Sequence, residues 1–69
     1  MENLQLAARI RAFRKLKGYT QQQLASKMGI SLAILGEIER GNRYVDDQIL
    51  NKISEVLDIS ISELMNISS

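Results

Sequence analysis

The sequence predicts an all-α fold: a compact five-helix domain that takes in the whole chain, 1–69. Three observations carry this. Apolar residues recur at helical spacing through most of the chain, and no period-two alternation runs long enough to make a sheet. Caps and stops punctuate the chain at short intervals, with Thr20, Ser31, Asp46 and Ser60 able to start helices and Gly18, Gly29 and Gly41 able to end them. Leu, Ile, Val and Phe make up 21 of the 69 residues, too much packing material for a disordered chain.

The elements follow in order. Leu6, Ile10 and Phe13 stand at i, i+4 and i+7, with Leu16 at the edge of the stripe and basic residues between, so the first helix turns this face inward until Gly18 stops it. Thr20 and Gln23 form a capping box that opens the second helix at Gln21. Leu24, Ala25 and Met28 are its inward residues, and Gly29 ends it. Ser31 caps a third helix that carries Leu35 and Ile38 inward and stops at Gly41. Gly36 in its middle costs about 0.5–1 kcal/mol relative to alanine, and nothing in the sequence accounts for it. After a loop containing Asn42, Arg43 and Tyr44, Asp46 or Asp47 caps a fourth helix bearing Ile49, Leu50, Ile53, Val56 and Leu57. Ser60 and Glu63 form a second capping box for a short final helix with Leu64, and Ile59 stands at the staple position. A short polar tail, 66–69, ends the chain.

Composition removes several classes of function. With no Cys and no His, disulfides are excluded and the usual ligands for zinc, haem or iron–sulfur clusters are missing, so no metal or cofactor is expected. The same absences remove most routes to covalent or general-base catalysis, and the chain is not expected to be an enzyme. No stretch approaches the roughly 18 apolar residues of a membrane span and no secretory segment stands out, so a cytoplasmic protein is expected. The net charge of +1 conceals a split. Residues 1–36 hold six Lys and Arg against Glu2, or +5, while residues 37–69 hold three against seven Asp and Glu, or −4. Such a split marks either a face for nucleic acid or helices whose charges pair.

The most informative stretch is 21–40, QQQLASKMGISLAILGEIER. It reads as two helices of about two turns joined by a tight turn at Gly29. Ala25 is small where the helices cross, and Leu24, Met28, Ile30, Leu35 and Ile38 face a shared core. A helix-turn-helix needs this set of choices.

With IRAFRKLKGYTQQQLASKMGIS, IERGNR and ILNKISEVLDISISEL, the sequence resembles the Cro/phage-repressor, XRE-type class of bacterial and phage helix-turn-helix proteins from about Ile10 to Leu64. The resemblance implies a phage-repressor-like DNA-binding domain in a small transcriptional regulator, its third helix entering the major groove of double-stranded DNA. It implies base-facing positions at Ser31, Leu32, Ala33 and Glu37, and phosphate contacts from Gln21, Asn42 and Arg43. It also implies that Gln21 braces the recognition helix and that Arg14 and Glu39 form a largely buried ion pair.

This chain departs from that pattern at the reading positions. Family members that read DNA typically carry Gln, Ser, Arg or Lys there, whereas Leu32 and Ala33 offer only apolar contact, for instance to a thymine methyl. Glu37 can accept from cytosine N4, but it meets the negative field of the duplex. Asp58 stands where the family often has glycine, and Asp tolerates the left-handed conformation. The apolar run Leu32, Ala33 and Ile34 fits an alternative, a protein-interaction module that docks this tip on a partner. On DNA a weak homodimer is expected, since one helix-turn-helix covers half a site. Tyr44, Val45, Ile61, Met65 and Ile67 are its apolar candidates. Arg9, Arg11, Lys15 and Lys17 are expected to form a solvated face.

Overall fold

Caps and left-handed turns divide the chain into five helices in the computed structural model, which describes residues 3–65: α1 Asn3–Leu16, α2 Gln21–Met28, α3 Leu32–Glu39, α4 Asp47–Leu57 and α5 Ile61–Met65. The tail 66–69 lies outside the described residues. Thr20 and Gln23 make both halves of the capping box, Gln23 N–H donating to Thr20 Oγ1 at 3.0 Å and Thr20 N–H to Gln23 Oε1 at 2.9 Å. Ser31 Oγ accepts from Ile34 N–H, and Ser60 Oγ from Glu63 N–H. Of the two candidate caps for α4, Asp46 is the one used, its Oδ1 accepting from Ile49 N–H at 2.9 Å. Asp47 becomes the first helical residue, where its carboxylate meets the positive end of the helix dipole. Asp58 ends α4 in the left-handed conformation, at φ +56.

Leu6, Ile10, Leu24, Ala25, Met28, Leu35, Ile38, Ile53, Leu57, Ile59 and Leu64 form one buried cluster. On α1 the buried row runs Leu6, Ile10 and Arg14, which are successive i, i+4 neighbours. Phe13 is therefore only half-buried at the margin, and Leu16 is exposed. Arg9 does not belong to the solvated face. Its Nε donates to the Leu64 carbonyl at 2.9 Å and its Nη2 to that of Glu63 at 3.5 Å, satisfying carbonyls that the end of α5 leaves open and fastening α1 to α5. Arg11, Lys15 and Lys17 are exposed.

Two glycines shape α3. A Cβ at Gly36 would lie 3.2 Å from Arg40 Nη1, so the Arg40 side chain folds back across the bare backbone there. Gly41 has φ +77, and a Cβ on it would fall 2.7 Å from Leu4 Cδ2. Glycine thus lets the end of α3 turn left-handed while touching the start of α1. Among the described residues, no helix is long and apolar enough to cross a membrane.

Candidate nucleic-acid interface

Three residues, Gly29, Ile30 and Ser31, separate α2 from α3. Gly29 takes φ +73, and the N–H of Ile30 donates to the Ala25 carbonyl at 3.0 Å, closing the end of α2 before Ser31 starts α3. Leu24, Ala25 and Met28 face the core with Leu35 and Ile38. The outward side of α3 carries Leu32, 48% exposed, then Ala33 and Glu37. Ile34 is not part of that tip. It precedes Ile38 by one turn and packs half-buried against the core, so the apolar docking run shrinks to Leu32 and Ala33. The Ser31 hydroxyl is engaged as the cap of α3.

Behind this face, one buried network fixes where α3 lies. Arg14 donates from Nε to Glu39 Oε2 at 2.7 Å and from Nη2 to Glu39 Oε1 at 3.1 Å, with the two side chains 9% and 2% exposed. The third nitrogen of Arg14, Nη1, donates to the Tyr19 carbonyl at 2.9 Å, and Gln21 Nε2 donates to Glu39 Oε1 at 3.1 Å. A bidentate pair of this geometry links α1, the turn before α2, the first residue of α2 and the last residue of α3. Among the described residues, no buried side-chain nitrogen or oxygen lacks a partner.

Gln21 therefore meets α3 through its side chain, while in the first turn of α2 the Gln23 N–H is taken by Thr20 Oγ1 and the Leu24 N–H by the Thr20 carbonyl, leaving those of Gln21 and Gln22 without an acceptor among the described residues. Beside them is a concavity of about 360 Å³ lined by Arg11, Arg14, Thr20, Gln21, Glu39 and Arg40. Arg11 and Arg40, both exposed, are cations that sequence reasoning did not assign to the site. Arg11 had a readable signal, standing three residues before Arg14 and so on a neighbouring row of α1. Arg40 could have been suspected only from the unexplained Gly36.

At the other margin of α3, Arg43 Nε donates to Glu37 Oε1 at 2.8 Å, with the side chains 45% and 42% exposed. A residue expected at the bases and one expected at phosphate are thus joined in an ion pair of zero net charge. Asn42 is exposed on the loop between them, its N–H donating to the Glu37 carbonyl at 2.9 Å. Of the apolar dimer candidates, Tyr44 is exposed, Val45, Ile61 and Met65 are half-buried, and Ile67 lies outside the described residues.

A family profile described as Helix-turn-helix matches residues 10–64. The uncharacterized HTH-type transcriptional regulator YazB of Bacillus subtilis is 61% identical over 56 residues, 81% of this chain and 81% of YazB. Among solved structures, the restriction-modification controller protein C.AhdI from Aeromonas hydrophila superposes with a TM-score of 0.84 at 34% identity, covering 88% of this chain and 92% of that one. The master regulator for biofilm formation SinR, solved in complex with DNA, superposes with a TM-score of 0.80 at 39% identity over 87% of this chain and 97% of that one. The chain spans 56% of the length of the curated SinR sequences it matches, from Bacillus licheniformis and Bacillus subtilis.

Proposed function

The chain belongs to the helix-turn-helix family, and from that premise we propose that it is a small DNA-binding transcriptional regulator, acting in the cytoplasm, whose α3 enters the major groove of double-stranded DNA. The observation that carries this reading is the exposed side of α3, held by the buried Arg14–Glu39–Gln21 network and flanked by the Gln21 and Gln22 N–H groups at the start of α2. The likeness to SinR, whose structure was solved with DNA, supports it.

In this reading Ser31, Leu32, Ala33 and Glu37 face the bases. One phosphate sits at the start of α2, where the Gln21 and Gln22 N–H groups and the helix dipole favour an anion, with Arg11 and Arg40 alongside. Asn42 contacts a phosphate from the loop, and Arg43 belongs to the same face. Two copies bind half-sites roughly 34 Å apart, as a weak homodimer for which Tyr44 is the exposed apolar candidate. The protein-docking alternative is not favoured, since Ile34 packs against the core and leaves only Leu32 and Ala33 as an apolar tip.

Fluorescence-anisotropy titration against genomic duplexes at two salt concentrations tests the proposal. Binding is expected at low salt and should weaken with a shallow slope, equivalent to about three to five phosphates per monomer at about −0.9 each. No binding to any duplex at low salt would overturn it.

A further inference from the structure

We propose that Arg43 is a base-reading residue, donating from its terminal Nη1 and Nη2 groups to O6 and N7 of a guanine, and that Glu37 is the positioning residue that aims it. This rests on the DNA-binding reading above and gives it a sequence preference.

The contact itself sets the geometry. Glu37 Oε1 accepts from Arg43 Nε at 2.8 Å. A guanidinium that donates from Nε to a carboxylate is restrained at that edge, and its two terminal nitrogens remain free to donate as a fork. Among the described residues, neither terminal nitrogen of Arg43 has a hydrogen-bond partner. Glu37 stands one helical turn beyond Ala33, so the brace is anchored on the side of α3 that carries Ala33.

Charge separates the two targets open to such a fork. A free arginine is a good phosphate contact because it displaces condensed counterions. Arg43 already carries its counterion in Glu37, and the neutral pair gains little from that exchange. Guanine O6 and N7 are uncharged acceptors that reward direction rather than net charge.

The rest of the face lacks what reading requires. Leu32 and Ala33 have no polar side-chain atom and the Ser31 hydroxyl caps α3, so none of them offers the paired donors that distinguish guanine. The Arg43 fork supplies the missing donors, and Leu32 and Ala33 fit thymine methyls next to the guanine. Stability does not account for the pair, since exposed ion pairs contribute little. The preferred half-site is therefore a guanine flanked by thymines on the side facing α3.

The test starts from the full chain and a site selected from randomised duplexes. Affinity for that site and for unrelated DNA is measured at two salt concentrations, with Arg43→Ala and Glu37→Ala alongside the parent, and melting curves confirm that both variants fold. Arg43→Ala is expected to lose about 10–100-fold on the selected site, with a much smaller loss on unrelated DNA, where the Glu37 carboxylate left unpaired meets the phosphates. Glu37→Ala, which frees the arginine, is expected to bind unrelated DNA more tightly and to steepen the slope by about one unit, while losing preference for the guanine. Replacing that guanine by 7-deazaguanine should weaken the parent and leave Arg43→Ala unaffected. If Arg43→Ala weakens all sequences alike and flattens the slope, Arg43 is a phosphate contact and the inference is overturned. If Arg43→Ala changes nothing while the parent still prefers its site, Arg43 is outside the interface and the inference is overturned equally. Failure of the parent to bind any DNA would instead overturn the functional reading beneath it.

Discussion

Glu39→Ala is expected to destabilise the domain by about 3–5 kcal/mol, enough that the variant does not stay folded at 37 °C. The pair it breaks is almost wholly buried, and Glu39 accepts three hydrogen bonds, two from Arg14 and one from Gln21. Removing the carboxylate leaves the Arg14 guanidinium in the interior with only the Tyr19 carbonyl as partner. The desolvation already incurred by that charge is then no longer offset. A domain of this size has roughly 3–10 kcal/mol in all, at about 0.05–0.15 kcal/mol per residue. Replacing both partners by apolar residues of similar volume, Arg14→Met with Glu39→Leu, is expected to cost far less, because no unpaired charge remains. Urea denaturation followed by circular dichroism checks both variants. A Glu39→Ala midpoint close to that of the parent would contradict the account of the network.

Leu35→Ala is expected to cost about 2–5 kcal/mol by a different route. Leu35 is fully buried in the cluster that all five helices share. Truncating it loses the transfer energy of the removed carbons and leaves a cavity that the helices close only partly. The spread in magnitude reflects how far α3 can settle into that space. Leu32→Ala is the internal comparison, two positions after Ile30 on the exposed side of the same helix. Its expected change lies within about 0.5 kcal/mol. Thermal denaturation of the two variants should separate them clearly, and similar melting temperatures would mean that α3 is not turned as described.

What was legible in the sequence is what neighbours in the chain decide. Thr20, Ser31 and Ser60 cap residues three positions on, and Gly29 ends a helix through its own backbone angle, so the five helices could be read locally. Contacts between distant residues could not. Nothing near Arg9 indicates that it reaches carbonyls 54 and 55 residues away. Gly36 has no reason in its own neighbourhood until the Arg40 side chain is seen crossing it. The inward turn of Ile34 follows its register with Ile38, a choice hidden by the apolar run in which it sits. The Arg14–Glu39 pair came from the family resemblance rather than from spacing, since 25 residues separate the two. At the site, each residue type is visible in the sequence, but the pairing of Arg43 with Glu37 across the loop is not, because it depends on how α3 ends.

The surface proposed to meet DNA is the exposed side of α3 with the first turn of α2. The most direct measurement is a titration of the ¹⁵N-labelled chain with a duplex carrying its selected site, followed by amide and arginine side-chain resonances. The largest shifts are expected at Leu32, Ala33 and Glu37, at the first-turn amides of Gln21 and Gln22, and at the side chain of Arg43. Residues on the opposite fastening of α1 to α5, Arg9 and Leu64, should hardly move. Shifts centred on Arg9 and α5, with α3 unaffected, would put the DNA surface elsewhere on the domain.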